Sequence, residues 1–337
     1  MVVGIFGQLK PKKYLKVNIV IIITNMNVVN NKIDKQLKKA VSIIPKPHLV
    51  LQEFLALIAE IKPVILHTLS PDEIKLIKTN FPEVNIAYND KNIFDIPQKD
   101  LLICALSKNE LLSKKTLNTY FLEGKGVFDL MGELLGYPKC CVENYVKYFN
   151  LHQQWNSSLI TYQAYKASKK FNFLVNNLLN FTTRISNKEF NNFQHYQSLN
   201  KNFPVPFHYC QFISHTPCRY DCPESIKIGQ EIDSLLKEYA PNVEKIVKYT
   251  LSKPILFFDL FKLVIFEGYL KEGILYYQKI TPPFFLIDNS LMDTLKSGNQ
   301  IMVNDKEIKI FKDNLLLFTY QKKNVRDGFI LNFSEGN

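Results

Sequence analysis

Five of the six cysteines in this 337-residue chain lie in two short stretches, Gly136-Tyr-Pro-Lys-Cys140-Cys141-Val-Glu143 and Cys210-Gln-Phe-Ile-Ser-His215-Thr-Pro-Cys218-Arg-Tyr-Asp-Cys222-Pro-Glu-Ser225. Each stretch runs into a helix that begins with proline, Pro138 in the first and Pro223 in the second, as the preference of proline for a first helical position predicts. Free backbone N–H groups and the helix dipole favour a thiolate at such a start, so Cys140, Cys141 and Cys222 stand where sulfur ionises readily. A fold that uses these thiols together must bring two helix starts, far apart in sequence, to one place.

Together Cys140 or Cys141, Cys218, Cys222 and either His215 or Cys210 supply the four soft ligands that zinc or an iron–sulfur cluster takes. On the helix after Pro138, Val142, Tyr145 and Phe149 form the core stripe, with Lys139, Glu143 and Lys147 on the wet side. Cys141 borders the buried face and Cys140 faces the polar side. Neighbours on a helix point about 100° apart, so the pair is not expected to bind one ion with ideal geometry. One would be a ligand and the other a nearby reactive thiol. Cys218 and Cys222 share the spacing of the first two cysteines of radical S-adenosylmethionine enzymes, but Ser225 stands at the place of the third. The plainer alternative is a set of separate buried cysteines and a core histidine, and Cys210 fits it best, as a strand residue alternating with His208 and Phe212. Glu143 and Glu224 lie within a turn of a cysteine and can act as acid or base, although carboxylates in a first turn are routine dipole partners. His48, His67 and His195 stand apart from any partner.

The net charge of +11 permits binding to nucleic acid. The basic residues are mostly Lys and spread over the whole chain beside abundant Asn, Ile, Phe and Tyr, the usage an AT-rich genome imposes. Nucleic acid is therefore possible as a partner but not favoured, and Lys and Arg should scatter among acids. No run reaches the eighteen or so apolar residues that span a bilayer, so no membrane partner is expected. Val17–Thr24 reads as a buried strand of a cytoplasmic protein, where clustered cysteines more often bind metal or catalyse than form disulfides. Oligomeric state and substrate carry no sequence signal.

With 46% hydrophobic residues the chain can bury a large core. The fold class expected is mixed α/β and α+β in three parts. Residues 1–106 form a small parallel α/β unit with strands at Val17–Thr24, Pro63–His67, Val84–Tyr88 and Leu101–Leu106 and helices at Asn31–Ile44, His48–Ile61 and from Pro71 to about Asn80. Cys104 is a buried apolar side chain there. Residues 107–250 are a helical domain carrying the cysteine motifs, with helices at Val127–Leu135, Pro138–Phe149, Leu159–Leu179 and Pro223–Ala240. Residues 251–337 form a mainly antiparallel α+β module. Its strands are Ile255–Glu267, Gly273–Ile280, Gln300–Val303, Glu307–Phe311, Leu315–Tyr320 and Phe329–Phe333, with a helix at Phe285–Leu295 and turns at Asn304-Asp305 and Asp313-Asn314.

The paired motifs Gly-Tyr-Pro-Lys-Cys-Cys-Val-Glu and His-Thr-Pro-Cys-Arg-Tyr-Asp-Cys-Pro-Glu-Ser resemble the signature of domain-of-unknown-function family 483, found largely in methanogenic archaea. The likeness covers about Phe128 to Glu238, and this chain carries Arg219 where the family often has serine. The resemblance implies an archaeal, anaerobic cytoplasm and a site built from Cys140, Cys141, His215, Cys218, Cys222 and Ser225, with no activity to carry over.

Three functions follow. The first is an enzyme or enzyme component that uses a thiolate-ligated iron–sulfur cluster or metal in redox or sulfur chemistry. The second is a non-catalytic RNA- or partner-binding protein tied together by zinc. The third is a metal-free cysteine enzyme in which Cys140 attacks and His215 is the base.

Overall fold

The structure, a computed structural model, describes residues 31–44, 50–89, 101–122, 126–152, 157–179, 210–259, 262–281 and 289–336. The strand expected at Val17–Thr24 lies outside the described residues, as do His48, His195, His208 and the first residues of the helix expected from Phe285. Helix α1 covers residues 31–43, and α2 (Leu51–Ile58) is buried at every position. A small sheet follows, built from β1 (Ile65–Leu69), β2 (Asn85–Asn89) and β3 (Leu102–Ser107). Helix α3 (Pro71–Asn80) joins β1 to β2 and opens with a full capping box, in which the Ser70 hydroxyl takes the Glu73 N–H and Glu73 takes the Ser70 N–H.

The parallel sheet expected here is corrected. β3 lies between β1 and β2 and runs antiparallel to both. β1 and β2 do run the same way, as a helical crossover requires, but a crossover does not dictate whether a third strand comes between them. The apolar signal that suggested a parallel strand has another cause. Ile103 and Ala105 of β3 pack with Leu117 of α4 (Glu110–Tyr120), whereas Cys104 and Leu106 enter the main core, so β3 is covered on both faces. Burial pushes the Cys104 thiol up to about 12, as befits a small apolar side chain.

The central helices are α5 (Val127–Leu134), α6 (Lys139–His152), α7 (Ser157–Ala167), α8 (Pro223–Tyr239) and α9 (Pro241–Leu251). The helix expected over Leu159–Leu179 breaks after Ala167 and gives only one further turn of 3₁₀ helix, Phe173–Val175. Tertiary bonds win over the periodic pattern here. The Asn172 side chain caps the short turn, Asn176 donates to the Leu251 carbonyl at 2.8 Å, and Asn177 donates to the His215 carbonyl at 2.6 Å. Gly229 lets α8 press onto this turn, since a Cβ there would stand 2.9 Å from the Leu174 carbonyl oxygen.

The C-terminal part is a seven-stranded antiparallel sheet ordered β10-β4-β5-β6-β7-β8-β9. Its strands are β4 (Ile255–Phe257), β5 (Leu263–Lys271), β6 (Ile274–Thr281), β7 (Gln300–Val303), β8 (Glu307–Lys312), β9 (Leu315–Gln321) and β10 (Phe329–Leu331), and α10 (Asn289–Ser297) lies against one face. The run expected as a single strand over Ile255–Glu267 is two strands, because the chain turns between Asp259 and Lys262. Asp313 and Asn314 both take positive φ, the conformation of a tight hairpin turn that suits the twist of its strands. The largest core runs from Leu37 and Phe54 through Phe173, Tyr220 and Leu236 to Phe257, Phe329 and Phe333, and a second core fills the space under α10. Among the described residues no helix is long and apolar enough to cross a membrane.

Candidate metal centre

Two local features bring α6 to the site. Gly136 takes a φ of 70°, which stops α5 and turns the chain, and the Pro138 carbonyl then accepts the first bonds of α6 from Cys141 and Val142. Cys140 and Cys141 consequently sit in the first helical turn. The second stretch is held by Tyr220, a fully buried side chain whose ring meets Phe333 edge-on at 5.2 Å and Phe171 at 5.8 Å. Its N–H bonds to the Ser168 hydroxyl at 2.7 Å, and its carbonyl accepts from Asn172 at 3.0 Å. Cys218 and Cys222 flank this anchor, with Cys222 at the N-cap of α8 and Pro223 following it.

The result is one cluster in which the sulfurs of Cys140, Cys141, Cys218 and Cys222 all lie within 4.8 Å of one another. Cys140 and Cys141 are 3.9 Å apart, Cys140 and Cys222 3.7 Å, and Cys141 and Cys222 3.8 Å. The expectation that two adjacent helical cysteines would diverge is corrected. In a first turn the Cα–Cβ bonds tilt toward the open end of the helix, so side chains reach out in front of it instead of spreading around its flank.

These separations bear on what can be held. Four sulfurs about 2.3 Å from a central ion stand about 3.8 Å apart at the corners of a tetrahedron. The three spacings among Cys140, Cys141 and Cys222 match that edge. Thiolates around a four-iron cluster bind separate irons and stand on the order of 6 Å apart, wider than any pair here. The starts of α6 and α8 both face the sulfurs, which offsets part of their negative charge.

Hydrogen bonds distinguish the four. Cys141 is buried and accepts from the Cys218 N–H at 3.3 Å, and its sulfur lies 3.2 Å from the Ser225 hydroxyl. Ser225 in turn is 2.8 Å from His215 Nε2. When Ser225 donates to a Cys141 thiolate, His215 must donate from Nε2 to the Ser225 oxygen, which fixes the tautomer. Burial, and then the charge of Lys62, push His215 down to about 3, so it stays neutral. Without metal the thiols share protons. Hydrogen bonds from Cys141 and then Cys218 hold Cys222 well below the usual thiol range, whereas Cys141 is pushed up by its bonds to Cys218 and Cys222. At Cys218 the bond to Cys141 pulls down, but Cys222 and burial outweigh it and push the thiol up to about 12. One thiolate thus supports the protonated others, and binding an ion would displace those protons.

Other residues named from the sequence fall elsewhere. Cys210 is outside the cluster, buried, with its thiol pushed up to about 12 by burial, and it occupies an irregular segment instead of the expected strand. Glu143 points to solvent and pairs with Lys139 at 3.7 Å. His215 reaches the buried Cys141 through the Ser225 hydroxyl. Cys140 itself is exposed and Cys141 buried, in the order that helical phase predicts. Metal-free protein should therefore alkylate at Cys140 well before Cys141, as peptide mapping after a short iodoacetamide pulse would read. Faster labelling of Cys141 would contradict the arrangement.

A second polar group adjoins the centre, and sequence reading missed it. Glu53 of α2 and Lys62 are each 7% exposed and paired at 2.7 Å, and His67 Nε2 lies 2.9 Å from the other Glu53 oxygen. Lys62 also donates to Ser214 at 2.6 Å and lies over the Tyr137 ring at 5.5 Å, and that ring is 5.1 Å from His215. Burial works against both charges. Lys62 and His67 nevertheless hold Glu53 below the usual carboxylate range, and Glu53 raises Lys62. The available signal was Glu53 itself, the one charged residue in Leu51-Gln-Glu-Phe-Leu-Ala-Leu-Ile58, where Gln52 is the other polar side chain.

No family model matches the chain, and no curated protein and no solved structure matches it.

Proposed function

We propose that the chain is a metal-binding protein in which Cys140, Cys141, Cys218 and Cys222 hold one tetrahedral ion, zinc or a single iron, between the starts of α6 and α8. The observation that carries this reading is the set of sulfur separations of 3.7, 3.8 and 3.9 Å, the edge length of a tetrathiolate ion. With four thiolates around it the ion has no open position, which favours a tying or electron-carrying role over Lewis-acid catalysis. In that role it fastens the α5–α6 turn to the loop between Cys218 and Cys222. A multi-iron cluster would require the sulfurs to spread. The likeness of the two motifs to family 483 accords with a shared site of these residues, and on this ground alone we propose that the chain is related to that family.

The test is anaerobic purification with zinc, iron and acid-labile sulfide analysis. The expected result is one zinc or iron per chain without labile sulfide; stoichiometric sulfide would overturn the reading in favour of a cluster. A chelator should also lower the melting temperature. A ligand present at a thousand times its Kd stabilises by about 4 kcal/mol, so the shift should be several degrees and reverse when metal is restored.

A further inference from the structure

The four sulfurs are not equivalent, and the difference concerns how firmly each is held. Cys141 and Cys222 are buried and Cys218 is half-buried, but Cys140 is exposed. Cys141 receives an N–H and lies against a hydroxyl. Cys222 is fixed at the N-cap of α8, ahead of Pro223. The Cys140 sulfur lies against the other sulfurs of the cluster, 3.9 Å from Cys141 and 3.7 Å from Cys222. Its neighbours on α6, Lys139 and Glu143, have side chains 90% and 63% exposed, so the outer face of this corner is open to solvent.

Resting on the tetrathiolate reading, we propose that Cys140 is an exchangeable ligand and that the centre accepts an external low-molecular-weight thiol in its place. The exchange needs no oxidant. The incoming thiol loses its proton and its sulfur bonds to the ion; the bond from the ion to Cys140 breaks, and the released Cys140 thiolate takes up that proton. Three ligands, Cys141, Cys218 and Cys222, keep the ion in place throughout. The centre would thereby present a metal-activated thiolate to solvent, because coordination ionises a thiol outright.

The experiment uses the full chain loaded with cobalt(II), whose sulfur-to-metal charge-transfer absorption counts bound thiolates. Wild type should take up one cobalt with four-sulfur absorption. Cys140→Ala should keep its cobalt with about three quarters of that intensity, and 2-mercaptoethanol should restore the remainder in a saturable titration. In cobalt-loaded wild type the same thiol should speed alkylation of Cys140 several-fold, with the other three cysteines staying protected. Loss of cobalt from Cys140→Ala, or retention without any response to thiol, overturns the exchange but leaves the four-sulfur centre standing. Failure of wild type itself to bind cobalt overturns both. Cys141→Ala is the control, and an identical thiol response there would show that the Cys140 corner has no special role.

Discussion

Replacing Cys222 by alanine lowers metal affinity by about a few hundredfold, and Cys141→Ala does the same. Structural zinc sites of this kind are worth about 10–16 kcal/mol in all, so one of four thiolates accounts for about 3–4 kcal/mol, and each 1.4 kcal/mol is tenfold. Both residues are buried, at 1% and 2% exposure, so water does not readily take the vacated position. Cys140→Ala should lose about tenfold, because solvent already reaches that corner. Competition with a chromophoric chelator measures all three. Equal affinities for Cys222→Ala and wild type would show that the cluster is four packed thiols and not a centre. Ser225→Ala would separate the ligands from their support. It removes the hydroxyl between Cys141 and His215, leaving His215 Nε2 without that partner and Cys141 with the Cys218 N–H, costing about 1–3 kcal/mol of stability with every sulfur still present.

What the sequence made legible here was local. Proline at the two helix starts, glycine before one of them and the apolar stripe of α6 are properties of neighbouring residues, and they fixed which thiols stand at helix N-termini and which of Cys140 and Cys141 faces out. The convergence of that pair was not legible, because helical phase describes a continuous cylinder and these residues sit where the cylinder has no preceding turn. The placing of β3 between β1 and β2 was hidden for a different reason. Its apolar run is the same whether its neighbours are parallel or antiparallel, as long as both faces are covered. Cys210 stood between two readings because a buried thiol and a ligand thiol look alike in sequence; its surroundings, supplied by segments distant along the chain, decide the matter. The same holds for the ion cluster, whose members come from α2, the turn after it and β1 and meet only when α2 packs across the sheet.

That cluster yields the second large effect. Lys62→Met removes the cation beside Glu53 and leaves a carboxylate buried with only His67 for support, which costs about 3–5 kcal/mol. Chemical denaturation at pH 7 measures it. Adding Glu53→Gln in the same chain removes the stranded charge and should recover about half of the loss, since a neutral amide can still meet His67 Nε2. A double variant no more stable than Lys62→Met would show that packing, not charge, is at stake. The pH dependence carries a definite sign. Glu53 in the wild type has a folded pKa below its unfolded value of about 4.3, so its contribution is fully present above that value and is lost as pH falls through the folded pKa. Lys62 has a folded pKa above its unfolded value of about 10.4, so its contribution is present below that value and is lost as pH rises through the folded pKa. The pair is therefore intact from about pH 5 to pH 10. In Lys62→Met the lowering charge is gone and burial raises Glu53 instead, so protonation relieves the penalty at mildly acid pH. The stability gap between variant and wild type should narrow steadily from pH 8 to pH 5. Because Lys62 also holds Ser214, next to His215, the variant should loosen the support of Cys141 and weaken metal binding by a factor that the double variant does not restore. Recovery of stability without recovery of affinity would separate the two roles of this lysine, one in holding a buried charge and the other in placing the loop that carries the thiols.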